Sequence, residues 1–175
     1  MHYGCYVFID PAVEEKDRQE YVYQVLQEYD EADEEYFEYV PIDQHLLRVL
    51  AVEYSLDTFH EVEKFLPMFD DYYKIHDGLV CEYTNPKARY DYFTPFRKFI
   101  PIIGSDEDVG SCIASQLKEP YMIPFAMVTS DGRWFQKREF WHDPKEEDAV
   151  MYEAFFRYYV DHHQNEIIVA CDMHI

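Results

Sequence analysis

The sequence predicts an α+β fold: a mostly antiparallel sheet with the N- and C-terminal strands at its centre and helices packed largely on one face. Residues 122–140 predict a β-hairpin, because two apolar runs flank a Ser-Asp-Gly turn at 130–132. Such a turn needs positive φ angles, which Gly adopts without steric cost and Asp tolerates. The runs at 3–9 and 166–175 are almost continuously apolar, which favours two buried strands.

The rest of the chain alternates helical and extended patterns. Asp10 and Pro11 are typical of a helix start, as N-cap and first helical residue. Pro67 should kink or end a helix because it lacks a backbone donor, and Ser105 should cap a helix that Gly110 weakens. The predicted elements are, in order, strand 3–9, helix 11–29, strand 36–42, two helices between Asp43 and Pro67, strand 79–84, an extended aromatic run at 90–99, helix 105–117, the hairpin, a helix from Asp143 to about Asp161, and strand 166–175.

Length and charge limit the possible partners. A chain of 175 residues predicts a single acidic domain, 1–175, with a possible inserted helical and aromatic segment at about 43–104. Asp and Glu number 36 against 15 Lys and Arg, so the formal net charge is −21. Such a chain repels nucleic acid and anionic membranes, and its expected partner is a basic protein. The alternative is that the carboxylates only keep an aromatic-rich chain soluble.

Four cysteines, Cys5, Cys81, Cys112 and Cys171, are scattered without a Cys-x-x-Cys pair. Together with a start that lacks signal-peptide features, this pattern predicts reduced thiols in the cytoplasm. No apolar run reaches the roughly 18 residues of a membrane span. The chain also has no phosphate-binding glycine loop or metal motif, so we expect a soluble intracellular protein without a cofactor.

The segment 28–39 holds seven acids, no base and interleaved tyrosines. Mutual repulsion of the carboxylates predicts a solvated loop or an exposed strand edge. A basic groove that tracks phosphates responds to the spacing and sign of charge, so it would accept such a row. The predicted partner-binding residues are Asp30, Glu31, Asp33, Glu34, Glu35, Tyr36 and Glu38, extended by Asp70, Asp71, Asp106, Glu107 and Asp108.

Polar residues of the aromatic run and the last strand form the other candidate site. Asp172 and His174 share a strand face, and they would form a pocket with Asn85, Arg89 and Asp91 if the aromatic loop folds over that strand. Alternatively, Asn85 and Asp91 hold the loop by hydrogen bonds to the backbone. No nucleophile stands in a recognisable setting, so we expect no enzyme and no catalytic residues.

His2 with Cys5, and Cys171 with His174, have a spacing that would suit zinc if the first and last strands pair. Residues three apart on a strand point to opposite faces, so the four side chains cannot all converge without a bend. We therefore expect buried thiols and a strand-end histidine at these positions, with no metal.

Three pieces of the chain resemble a family of small uncharacterised proteins of tailed phages and prophages of Gram-positive bacteria. They are the Asn-Pro and aromatic-Asp-aromatic stretch at 85–93, the Pro-Phe-Ala and Asp-Gly-x-Trp motifs at 124–134, and the C-terminal Asp-x-His-Ile at 172–175. The family usually has Gly-Gly-Arg-Trp where this chain has Phe-Arg-Lys-Phe at 96–99, which removes a turn that permits close backbone approach. The resemblance implies phage origin and the bacterial host cytoplasm, and it implies no known activity.

Three functional hypotheses follow from these features. The leading one is a phage-encoded anti-defence inhibitor, similar to an anti-CRISPR protein, that binds the nucleic-acid-binding surface of a host nuclease by acidic mimicry. The second is a protein or enzyme that captures or cleaves a small molecule or nucleotide signal in the polar pocket. The third is a structural phage accessory protein with an aromatic interface.

Overall fold

The structure, a computed structural model, describes residues 2–56, 59–69, 72–137 and 146–174. Its contacts divide the chain into two units, one of Met1–Gln27 with Tyr90–Ile175 and the other of Glu28–Arg89. The second unit is thus inserted in the sequence of the first, and it begins and ends earlier than the segment of about 43–104 suggested above. Within the described ranges, no helix has the length and apolar character needed to cross a lipid bilayer.

Helices and strands both contribute substantially to the described residues, which confirms the predicted α+β class. The strands and helices are, in order, β1 His2–Ile9, α1 Arg18–Gln27, β2 Glu38–Pro41, α2 Gln44–Glu53, α3 Phe59–Phe69, β3 Tyr73–His76, β4 Leu79–Thr84, β5 Tyr92–Pro95, β6 Ser111–Ile113, β7 Ala126–Val128, β8 Trp134–Gln136, α4 Glu146–His162 and β9 Ile167–His174. Short 3₁₀ helices span Glu15–Asp17, Glu34–Tyr36 and Ala114–Gln116.

The larger sheet lies in the first unit and has the order β5-β9-β1-β7-β8, with β6 also paired to β9. β1 and β9 are antiparallel, with a register that runs from His2 opposite His174 to Ile9 opposite Ile167. β1 and β7 are parallel, whereas the other pairs of this sheet are antiparallel. The predicted central position of the first and last strands is therefore confirmed.

One face of the β1–β9 pair forms an aromatic core. Tyr6 and Phe8 of β1 are fully buried, and their rings lie close to those of Phe156 and Tyr159 on α4. The residues of β1 that alternate with them are also fully buried from Cys5 onward. Burial on both faces explains why the sequence of this strand is almost continuously apolar.

The second unit contains a three-stranded antiparallel sheet, in the order β2-β4-β3, together with α2 and α3. Asp77 and Gly78 join β3 to β4, and their φ angles of 50° and 78° are typical of a type I′ turn. β3 and this second sheet go beyond the elements predicted from the sequence. The core of the unit is formed by Leu47, Leu50, Ala51, Val62, Leu66 and Val80.

The helix predicted at 105–117 is wrong. The hydroxyl of Ser105 accepts a hydrogen bond from the Glu107 N–H at 3.0 Å and closes a local turn. The chain then forms β6 beside β9, and the carbonyl of Gly110 accepts a hydrogen bond from the Ala170 N–H at 2.9 Å. Pairing with β9 gives the backbone N–H and C=O groups of this segment hydrogen-bond partners in an extended conformation. This pairing outweighs the local capping preference that favoured a helix.

α1 begins at Arg18 and not at Pro11, so the predicted helix start is also wrong. The carboxylate of Asp10 accepts a hydrogen bond from the Ala12 N–H at 2.8 Å, which caps a turn and not a helix. In the second unit, α3 continues two residues beyond Pro67, so this proline does not end the helix at its own position.

The hairpin of β7 and β8 is confirmed. Its turn places positive φ on Gly132 alone, at 83°, whereas Asp131 keeps negative φ. The Gly132 N–H donates to the Thr129 carbonyl at 2.8 Å and closes the turn. The start of the last helix predicted at Asp143 lies outside the described residues, which resume with α4 at Glu146.

Candidate functional site

The acidic segment 28–39 lies in the second unit. Asp30 and Asp33 accept hydrogen bonds from the N–H groups of Ala32 and Glu35, at 2.8 and 3.0 Å, so these two carboxylates close local turns. Tyr36 is half-buried. The exposed carboxylates of this segment that a partner could reach are Glu31, Glu34, Glu35 and Glu38.

Negative charge is denser in the second unit than in the first. Residues 28–89 contain 16 Asp and Glu against 5 Lys and Arg, whereas the longer remainder contains 20 against 10. Asp106, Glu107 and Asp108 are exposed in a loop of the first unit, while Asp70 and Asp71 lie outside the described residues. The predicted acidic set is therefore divided between units.

Asn85 is buried and holds the backbone of the second unit. Its amide nitrogen donates to the carbonyl groups of Glu28 at 2.9 Å and Asp30 at 2.8 Å, and its oxygen accepts from the Lys87 N–H at 2.9 Å. These are the hydrogen bonds that the loop-holding interpretation expects, and both amide donors are used by them. Arg89 belongs to the same unit.

Asp91, Asp172 and His174 lie in the first unit, where they form two carboxylate–histidine pairs. The Nδ1 atom of His174 lies 2.8 and 2.9 Å from the two carboxylate oxygens of Asp91. Burial alone would raise the pKa of Asp91, but the hydrogen bond and charge of His174 outweigh it and lower that pKa. The Nδ1 atom of His2 lies 3.4 Å from Asp172 Oδ2, and the rings of His2 and His174 are 4.9 Å apart.

Strand register brings these groups to one face of the larger sheet. His2 is opposite His174, and Gly4 is opposite Asp172. Because side chains alternate along a strand, these positions share the face that carries Tyr6 further along β1. The buried aromatic core and the polar cluster therefore occupy two ends of the same face.

Cys5 and Cys171 lie opposite each other in the same strand pair, but they occupy the other face of the sheet. Both are fully buried, and burial raises the pKa of both thiols. The four side chains of the possible zinc set thus do not converge. Across the described residues, no group of three or more His, Cys, Asp or Glu could hold a metal ion.

A cavity of about 780 Å³ opens beside the polar cluster in the first unit. Two adjacent cationic side chains, Arg97 and Lys98, line it and are exposed. Aromatic, apolar and polar side chains complete the lining, among them Phe96, Phe99, Phe125, Met122, His2 and Asp172. The cavity thus combines positive charge, a carboxylate and aromatic surface.

Two loops form the walls of this cavity, and backbone hydrogen bonds attach both to the central strands. The Arg97 N–H donates to the Ala170 carbonyl of β9 at 3.1 Å, and the Phe125 N–H donates to the Gly4 carbonyl of β1 at 2.9 Å. The ring of Phe99 packs onto Gly4, where an added Cβ would lie 3.2 Å from it. The central strand pair therefore sets the positions of both walls.

Phe96 adopts a left-handed backbone with φ of 58°, which is uncommon for a bulky aromatic residue. Its carbonyl oxygen packs against Gly110 so closely that a Cβ on Gly110 would lie 2.2 Å away. Only glycine permits this approach. Backbone strain of this kind is concentrated at functional sites, which makes the cavity the stronger candidate site of the first unit.

The cavity contains one residue of the predicted pocket, Asp172. Arg97 and Lys98 lie outside the predicted set, although their sequence carries a recognisable pattern. They are adjacent cations between two phenylalanines in a chain with 36 acids. This pattern shows a local concentration of positive charge, and the structure places that charge at the cavity wall.

No protein family, curated protein or solved structure matches this chain. The relation to phage proteins therefore stays a prediction, and the function rests on the geometry of the site.

Proposed function

We propose that the first unit binds a small organic anion in the cavity between the loops at 96–99 and 122–125. The observation that carries this proposal is the pair of exposed cations, Arg97 and Lys98, at the wall of a cavity of about 780 Å³. Neither side chain forms an ion pair with another described residue. In a chain with a net charge of −21, two cations that pair with no carboxylate of the described residues supply the local attraction that an anion needs.

The rest of the lining favours a ligand with an apolar or aromatic body. Phe96, Phe99 and Phe125 contribute rings, and Met122 contributes an apolar side chain. Small-molecule sites typically have volumes of roughly 300–1,000 Å³ and mostly apolar walls with a few polar groups that orient the ligand. An inorganic ion alone would leave the aromatic surface of this cavity unused.

Arg97→Ala is expected to weaken binding of 8-anilinonaphthalene-1-sulfonate, a fluorescent aromatic anion, about ten-fold or more. A hydrogen bond to a charged group contributes roughly 1.5–3 kcal/mol, and about 1.4 kcal/mol corresponds to a factor of ten in affinity. The measurement is a fluorescence titration of the wild-type and variant proteins. Lys98→Ala should act in the same direction.

Arg157→Ala is the matched control, because Arg157 is exposed on α4 and does not line the cavity. It removes the same charge and should leave the dissociation constant of the probe unchanged. Equal affinities for wild-type protein and Arg97→Ala would contradict the proposal, because the probe would then bind elsewhere.

We also propose, as a second function, that the acidic segment of the second unit docks a basic protein surface, as an anti-defence inhibitor of a host nuclease would. The excess of acids in residues 28–89 supports this proposal, because it is larger per residue than in the rest of the chain. Exposed Tyr39 next to Glu38 adds an aromatic surface of the kind enriched at interfaces. The resemblance to phage proteins is consistent with this role.

Reversing the charge of Glu31, Glu34, Glu35 and Glu38 to Lys is expected to abolish inhibition of a CRISPR-associated nuclease complex by this protein. Electrostatic steering changes association rates by about 10- to 1,000-fold, so the variant should compete poorly with DNA for a basic groove. DNA cleavage in the presence of each protein measures the effect.

A control with Lys at Glu14, Glu15, Asp17 and Glu20, all exposed in the first unit, should still inhibit. If the wild-type protein did not inhibit DNA cleavage by the nuclease complex, this second function would be contradicted.

A further inference from the structure

We infer that the ligand of the cavity is a nucleotide, with its phosphate at Arg97 and Lys98 and its sugar hydroxyl or base amino groups at Asp172. This inference rests on the proposed anion-binding function and specifies its ligand class. The observation behind it is the presence of a carboxylate in the wall of a cavity whose other charged groups favour an anion. A carboxylate repels an anionic group, so its place there needs a chemical reason.

Asp172 is held firmly by the sheet. It lies in β9 between Gly4 of β1 and Thr94 of β5, and its side chain is 29% exposed. Its Oδ2 atom contacts His2 at 3.4 Å, which leaves further lone pairs of the carboxylate for other donors. A carboxylate that accepts hydrogen bonds is suited to hydroxyl and amino groups, as in the recognition of a ribose by an acidic residue.

Three kinds of group thus meet in one cavity. Arg97 and Lys98 suit a phosphate; Asp172, which His2 contacts, suits neutral donors; and Phe96 with its neighbouring rings suits a planar base. A fatty acid or an aryl carboxylate would offer the Asp172 carboxylate no donor of its own, and inorganic phosphate would leave the rings uncovered. A nucleotide carries all three complementary groups in one molecule.

The effect of Asp172→Asn on affinity separates this inference from simple anion binding, because it should have opposite directions for a nucleotide and for an anion without hydroxyl or amino donors. The probes are the four ribonucleoside 5′-monophosphates and phenyl phosphate, which has a ring and a phosphate but no hydroxyl or amino donor. By isothermal titration calorimetry, at least one nucleotide should bind about ten-fold or more tightly than phenyl phosphate. Asp172→Asn should weaken that nucleotide about ten-fold, and it should leave phenyl phosphate unchanged or tighter because a repelling charge is gone.

Two control variants isolate the role of Asp172. Asp148→Asn, at an exposed position of α4, makes the same charge change away from the cavity and should alter neither affinity. His2→Gln removes the imidazole that contacts Asp172 and lines the cavity but leaves the carboxylate in place, so its effect should be similar for nucleotides and phenyl phosphate. A selective loss of nucleotide binding in His2→Gln equal to that in Asp172→Asn would overturn the direct role of Asp172.

The possible failures are distinguishable. Phenyl phosphate that binds as tightly as every nucleotide, or Asp172→Asn protein that binds both more tightly, overturns the nucleotide inference and leaves anion binding in place. If no phosphate compound displaces 8-anilinonaphthalene-1-sulfonate and Arg97→Ala has no effect on that probe, the proposed function and the inference both fail.

Discussion

Phe156→Ala is expected to lower the free energy of unfolding of the first unit by about 3–5 kcal/mol. The Phe156 ring on α4 is fully buried, with centroids 6.0 Å from Tyr6, 6.4 Å from Phe8 and 6.4 Å from Tyr121. Truncation removes the transfer free energy of the ring and leaves a cavity between α4 and β1, and a close-packed sheet cannot move to fill it. Urea titration followed by circular dichroism gives the midpoint and slope from which the loss is calculated.

Met151→Ala is the matched control, because Met151 is 71% exposed on the same helix. Exposed substitutions of this kind usually change stability by no more than about 0.5 kcal/mol. Similar losses in the two variants would contradict the packing of α4 against the aromatic face of β1. That packing matters for the site, because the same face carries His2 and Asp172 at its other end.

The central strand pair and the hairpin could be predicted because their determinants are local. β1 and β9 are apolar along nearly their whole length, and in the turn of the β7–β8 hairpin the positive φ falls on Gly132. The shared face of Asp172 and His174 also follows from the period of two along a strand. In these cases, pattern and tertiary structure agree.

The errors arose where long-range contacts overrule local preference. Ser105 has the sequence context of an N-cap, but the residues after it pair with β9, which lies more than 50 residues further along the chain. β3 is only four residues long, and its strongest indicator is the turn after it, where Asp77 and Gly78 have the sequence of a type I′ hairpin. Short strands are set mainly by their neighbours, so their own sequence carries little information.

The cavity could not be predicted for the same reason. Asp172 is on a strand, so its face follows from the sequence pattern, but Arg97 and Lys98 are in a loop. The path of that loop depends on the hydrogen bond from Arg97 to Ala170, which joins residues distant in sequence. The role of Asn85, in contrast, could be predicted from the sequence. Asn residues commonly hydrogen-bond to backbone two residues on, and the Asn85 side chain accepts such a bond from the Lys87 N–H.

Gly110→Ala is expected to destabilise the first unit by about 1–3 kcal/mol and to weaken binding of 8-anilinonaphthalene-1-sulfonate about ten-fold or more. A Cβ at this position would lie 2.2 Å from the carbonyl oxygen and 2.6 Å from the carbonyl carbon of Phe96. Both are backbone atoms, so the loop that carries Arg97 must move to relieve the clash. Its hydrogen bond to Ala170 should then weaken, and the guanidinium should leave its position at the cavity wall. Urea unfolding and the fluorescence titration measure the two effects.

Gly104→Ala is the control that separates this clash from a general intolerance of alanine. Gly104 has φ of 78° and no atom within 4 Å of an added Cβ, so the substitution costs only the strain of a left-handed alanine, about 1–2 kcal/mol. Its stability should therefore fall while its affinity for the probe stays at the wild-type value. If Gly110→Ala also bound the probe normally, the 96–98 loop would not be what places the cations, and the anion site would have to lie elsewhere. A selective loss of binding would instead tie the strained backbone of Phe96 to the function of the cavity.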